Sequence, residues 1–164
     1  MENQPFIREQ FRLLERNVLL LIVLQLPFFA FAYLNTTRPT RTYQIPELPE
    51  FLDTFTLSLV LALLLLQQFN FNRIIRTVKR EDMELADKFM AYKYATLRRY
   101  WILFIAGLLC AAGLWFYQNV GFTVAYAIIL ILVSVLKPSP ARIIRLFQLQ
   151  GKEKDLIFNV NRTE

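Results

Sequence analysis

Histidine is absent from this 164-residue chain, cysteine occurs once and glycine four times. Without His, the commonest general base and transition-metal ligand is missing. The single Cys110 sits inside an apolar run, where it can neither pair within the chain nor join a Cys cluster. Haem, iron–sulfur and zinc chemistry therefore lack their usual ligands, and no cofactor or metal is expected. Charge is missing too, in four long stretches that hold no Lys, Arg, Asp or Glu beyond their first turn. An ionisable group at bilayer depth would by default mark a functional site, and the chain offers none.

What the chain has in abundance is apolar surface: 55% of its residues are hydrophobic, fifteen are Phe, and its mean hydropathy is +0.36. The uncharged stretches run from about Asn17 to Leu34, Phe51 to Asn72, Tyr100 to Gln118 and Val120 to Leu136. Each is long enough, at about 1.5 Å per residue, to cross or nearly cross a hydrocarbon core of about 30 Å. Lipid offers the backbone no hydrogen-bond partners, so each is predicted to be a helix. The expected fold is all-α: one membrane domain over 1–164, with four transmembrane helices, a helical hairpin between spans two and three, and a short amphipathic helix near the C-terminus. No small-residue cleavage site follows the first apolar run, so span one is expected to stay in the mature protein.

The nineteen Lys and Arg residues fall into the five polar segments as 3, 2, 8, 0 and 6. That alternation is the mark of the positive-inside rule. It predicts an integral membrane protein, with a bacterial inner membrane as the expected setting, whose termini and middle loop are cytoplasmic. The inner side then carries seventeen cations and ten acids, the outer side Arg38 and Arg41 against Glu47, Glu50 and Asp53. Attraction to anionic lipid headgroups accounts for this asymmetry, so nucleic acid is not an expected partner. Arg16, Arg73, Arg76, Arg98, Arg99 and Lys137 flank the spans, and Tyr100, Trp101, Trp115, Tyr117, Tyr33 and Tyr43 read as interfacial rings.

Between the spans, residues 1–16 place Phe11, Leu14 and Val18 on one helical face, with arginines on the other. Two forms fit this pattern: a helix lying in the inner interface, or a straight extension of span one. The outer loop, Asn35 to Glu50, holds Pro39, Pro46 and Pro49 and reads as irregular. The inner loop, Arg73 to Arg99, lacks Gly and Pro and repeats apolar residues at helical spacing, so spans two and three should continue inward to a turn near Arg80 to Asp82. Glu81, Asp82, Glu84 and Asp87 are interleaved with Lys79, Arg80 and Lys88, as in a solvated turn. After span four, Ser139-Pro140 reads as a helix start and Gly151 as its stop, with Ile143, Ile144 and Phe147 facing either the membrane or the inner loop.

Two residue sets are candidate sites. Thr54, Ser58 and Ala62, then Gly107 and Ala111, then Gly121 and Ala125 recur every four residues and predict close helix packing, within one bundle or between copies. Gln25, beside the helix-perturbing Pro27, and Gln67, Gln68 and Asn70 at the inner end of span two are the candidate polar lining. Asp53 falls in the first turn of span two, where a helix N-terminus favours an anion. With no nucleophile beside a base and no carboxylates grouped at lipid depth, an enzyme is not expected. The reading is a non-catalytic accessory or scaffold subunit in a homo-oligomer or membrane-protein complex. The alternative is an oligomeric channel or transporter subunit.

Overall fold

The computed structural model describes residues 3–37, 49–80 and 84–158, and the regular structure there is all α-helix. Six helices follow one another: α1 (Asn3–Thr37), α2 (Glu50–Arg80), α3 (Leu85–Tyr117), α4 (Val120–Val135), α5 (Pro140–Phe147) and α6 (Gly151–Phe158). The first three contain 35, 31 and 33 residues. At about 1.5 Å per residue each exceeds the roughly 30 Å hydrocarbon core by 15 Å or more. All three are apolar enough to cross a membrane, and α4 with α5 forms a fourth apolar pair bent by 80°. The protein is an integral membrane protein by this measure, and its exposed side chains agree. Leu20, Phe28, Phe31, Phe55, Leu65, Phe69, Ile105, Val124 and Ile131 all face outward, a surface that favours lipid over water.

α3 is the central helix, with α1, α2 and α4 packed around it. Its small residues explain the position: Ala95, Ala106, Gly107, Cys110, Ala111 and Gly113 are all buried, which lets neighbouring backbones approach on several sides. α1 runs through Pro27 without interruption, although that residue cannot donate to the Val23 carbonyl. At its far end Asn35 and Thr36 donate to the Phe31 and Tyr33 carbonyls, at 2.8 and 2.9 Å. These bonds satisfy the last turn and carry the helix three residues past the expected end of span one. The remainder of the proline-rich loop, 38–48, lies outside the described residues, as do Tyr43 and the turn residues 81–83.

The three long helices overhang at the same end, the one that bears most of the cations, and there they close over one end of the apolar core. Ile7, Phe11 and Leu14 of α1, Phe71, Ile75 and Val78 of α2, and Phe89 and Tyr92 of α3 are buried together with Ile143, Leu149 and Ile157. Tyr92 is the hub: it meets the rings of Phe71 and Phe147 edge-on at 6.3 and 6.4 Å. Phe11 and Phe89 pack nearby at 6.4 Å. Burying each such side chain contributes about 1.5–3 kcal/mol outside the lipid. This head decides between the sequence alternatives. Residues 3–16 extend span one as one continuous helix, and the apolar sides of α1 and α5 face protein.

The α4–α5 corner follows from local chemistry. Pro138 brings no N–H, and Ser139 caps α5 by accepting from the Arg142 N–H at 3.3 Å, with Pro140 in the first turn. Gly151 is not the stop of this helix, as its composition suggested. Gln148 takes the left-handed position (φ 53°) and Leu149 N–H donates back to the Ile144 carbonyl at 3.1 Å, while Gly151 opens α6 with φ +57°. The anchoring bond and the burial of Leu149 offset the roughly 1–2 kcal/mol that a left-handed non-glycine residue costs.

Candidate functional site

Where the lipid-facing part of the bundle gives way to the head, Arg99 is only 3% exposed. Its Nε donates to Gln67 Oε1 and its Nη2 to Gln68 Oε1, while the guanidinium carbon lies 4.7 Å from the Phe71 ring centroid. Sequence position pairs Arg99 with Arg98 as a snorkelling anchor; the fold separates them. One residue is a 100° rotation on a helix, which leaves Arg98 exposed and aims Arg99 at α2. Hydrogen bonds to a charged group contribute about 1.5–3 kcal/mol each, and a desolvated cation–π contact about 2. Together they offset a burial penalty of several kcal/mol. Gln67 and Gln68 are therefore committed to a cation. Asn70 stands half-buried beside them, and Gln68 Nε2 reaches Asn72 Oδ1 at 3.4 Å.

Tyr100, next to Arg99, is buried in the bundle rather than turned outward. Its hydroxyl donates to the Val133 carbonyl at 3.1 Å, and Arg142 Nη1 donates to the Val135 carbonyl at 3.0 Å. Both carbonyls belong to the last turn of α4, which has no intrahelical partners to offer them. The corner is thus clamped from α3 on one side and α5 on the other. Trp101 is half-exposed, and Tyr33 likewise at the opposite end. There Trp115 stacks on Phe31 at 5.2 Å and Tyr117 on Phe122 at 6.4 Å.

Cavities surround the basic end. Between α2, the corner and α5, one of about 730 Å³ is lined by Lys79, Lys137, Ser139, Arg142, Arg145 and Leu146, with no carboxylate among the described residues. On the outer side of α2, a second of about 410 Å³ is lined by Phe69, Asn72, Arg73, Arg76, Thr77 and Arg80. A third, of about 300 Å³, lies between α1 and α4 and is largely apolar.

Deeper in the bundle, Gln25 is 2% exposed and its Oε1 has no hydrogen-bond partner; the buried hydroxyl of Tyr126 has none either. Both lie against Gly107. A Cβ there would sit 2.3 Å from Gln25 Oε1 and 3.4 Å from Tyr126 Cε2. Phe29 stacks on Tyr126 at 3.7 Å, so these polar atoms are enclosed by α1, α3 and α4.

The expected packing residues divide. Gly107, Ala111 and Ala125 are buried inside the chain, and Gly121 lies against Leu57 and the α4 cap. Thr54, Ser58 and Ala62 are exposed, because α2 turns Leu57, Val60, Leu64 and Gln67 toward its neighbours. They make no close helix contact within one chain. Gly113, which the four-residue spacing passed over, faces a ring rather than a flexible chain end: a Cβ would lie 2.4–2.7 Å from three atoms of the Phe122 ring. Asp53 is more than a first-turn anion. Its Oδ2 accepts from Asn119 Nδ2 at 2.8 Å, while Asn119 Oδ1 caps α4 through the Gly121 N–H, also at 2.8 Å. One side chain thereby ties the start of α2 to the α3–α4 turn. Comparison with protein-family models, curated proteins and solved structures finds no match to this chain.

Proposed function

We propose that the chain crosses the membrane four times, with its termini and the α2–α3 turn in the cytoplasm, and that it serves as a non-catalytic accessory or scaffold subunit. A bacterial inner membrane fits the charge pattern. The observation that carries this reading is the head. α1, α2 and α3 pass from lipid into it without a break, and α5 and α6 complete its core. Such a body holds a fixed shape against the membrane, and a scaffold needs that more than it needs mobile loops. Counting α4 as a span is reasonable, since its 16 residues cover about 24 Å and Leu136 extends the apolar run.

The partner surface we assign to the head is the outer side of α2. Arg73, Arg76 and Arg80 stand three and four residues apart there, beside the exposed Phe69, and so share one helix face. A complementary partner presents an acidic segment with an apolar anchor. Beyond Asp53 in the first turn of span two, the spans supply no titratable carboxylate or cation for coupled transport. The test is purification from native membranes in mild detergent, with mass spectrometry and native mass, for the wild type and an Arg73→Glu/Arg76→Glu/Arg80→Glu variant. A stoichiometric hetero-complex that the variant loses supports the scaffold. A closed homo-oligomer indifferent to the charge reversal replaces it with the channel reading.

A further inference from the structure

The apolar cavity between α1 and α4 and the basic cavity at the α4–α5 corner share a wall. Lys137 lines both. On one side of it lie Val18, Leu19, Ile22, Leu130 and Val133; on the other, Lys79, Arg142 and Arg145. We propose that this pair of cavities is a binding site for one anionic phospholipid of the leaflet on the basic side, its phosphate at Lys79, Lys137, Arg142 and Arg145 and an acyl chain along the α1–α4 groove. The assignment goes beyond the general attraction of a basic surface to a charged membrane, because it joins an apolar slot to a cation cluster at one residue. Both volumes, about 300 and 730 Å³, fall in the range of roughly 300–1,000 Å³ usual for ligand sites.

Charge favours an anion over a zwitterion. Glu15, on the α1 rim of the apolar groove, is the one carboxylate among the described residues lining either cavity, against four cations. Among the described residues, the neighbourhood is also over-supplied with positive charge. Arg99 is buried against amides and a ring, and Arg142 lies close enough to repel it. Arg142 is held in place by the Val135 carbonyl, so a donor is already directed at the corner. A phosphodiester there supplies a negative charge and accepts several charge-assisted hydrogen bonds.

The experiment reconstitutes the full chain in nanodiscs of phosphatidylcholine doped with phosphatidylglycerol, then extracts it for native mass spectrometry. Wild type should carry one phosphatidylglycerol per chain in preference to phosphatidylcholine. Each cation near a membrane surface is worth about a fivefold preference. A Lys137→Gln/Arg145→Gln variant, altered only at exposed side chains, should therefore lose the preference by roughly 25-fold while keeping its helical content and melting temperature. Ser134→Trp, which fills the apolar groove at an exposed position, should reduce retention of both lipids. Millimolar inorganic phosphate should displace neither. Equal preference in wild type and the double variant overturns the proposal, as does retention unaffected by Ser134→Trp. Displacement by inorganic phosphate makes the site a simple anion site and overturns the lipid assignment.

Discussion

If Arg99 is held by Gln67 and Gln68, changing both sides of that contact should cost less than the sum of changing each alone. Gln67→Leu leaves the Arg99 Nε–H buried against an alkyl chain. Losing a hydrogen bond to a charged group, with the donor then unsatisfied, costs about 2–4 kcal/mol. Arg99→Met removes the charge and the contact with the Phe71 ring but preserves much of the side-chain volume. Two amides then lose their donor, at about 1–3 kcal/mol. In the Gln67→Leu/Arg99→Met double variant no charge remains and two apolar side chains meet in a slot already lined by Phe71, so the total should fall well short of the sum. The expected coupling is about 1–3 kcal/mol. Reversible unfolding of the four proteins in mixed micelles, followed by circular dichroism and fitted to two states, measures it. Additive losses would refute the clasp and return Arg99 to the role of an interfacial anchor.

The remaining predictions concern the bundle's close contacts. Gly113→Ala should destabilise by about 1–3 kcal/mol through overpacking against Phe122, and more than Gly107→Ala, whose methyl displaces only the movable end of Gln25; thermal melts with the order reversed would contradict the packing. Gln25→Leu, which removes a buried acceptor without a partner, should leave the melting temperature unchanged or raised, since replacing an unsatisfied polar group by an apolar one of similar size is neutral or stabilising. Asn119→Ala should cost about 2–3 kcal/mol, a helix cap plus one inter-helix hydrogen bond, and Asp53→Ala about 1; equal losses would show that the cap contributes nothing.

The parts of the fold that could be read from sequence are those set by local periodicity. The length of α2 and α3, the tight α3–α4 turn and the Ser139-Pro140 start all follow from spacing and from the placement of Gly and Pro. Facing is harder, because in lipid both sides of a helix are apolar and the usual polar–apolar contrast is lost. Spacing alone therefore does not say that α2 turns Thr54, Ser58 and Ala62 outward, nor that Gly113 meets the large ring of Phe122. Arg98 and Arg99 look alike until the helix rotation separates them. Gln118 and Gln148 hold left-handed caps where Gly or Asn is usual, which only the surrounding packing explains. The head was half legible: the apolar stripe of residues 7–18 was visible, but not that it packs against α3.

The central claim is that one folded head, built from three overhanging helices, lies on the cytoplasmic side of a four-span bundle. Reporter fusions test it most directly. A reporter active only in the cytoplasm, fused after Glu164 or inserted near Asp82, should be active, and the same reporter inserted near Thr40 should be silent, as the 17-to-2 division of cations requires. Activity at Thr40, or silence after Glu164 with activity at Asp82, would contradict the topology and with it the cytoplasmic head.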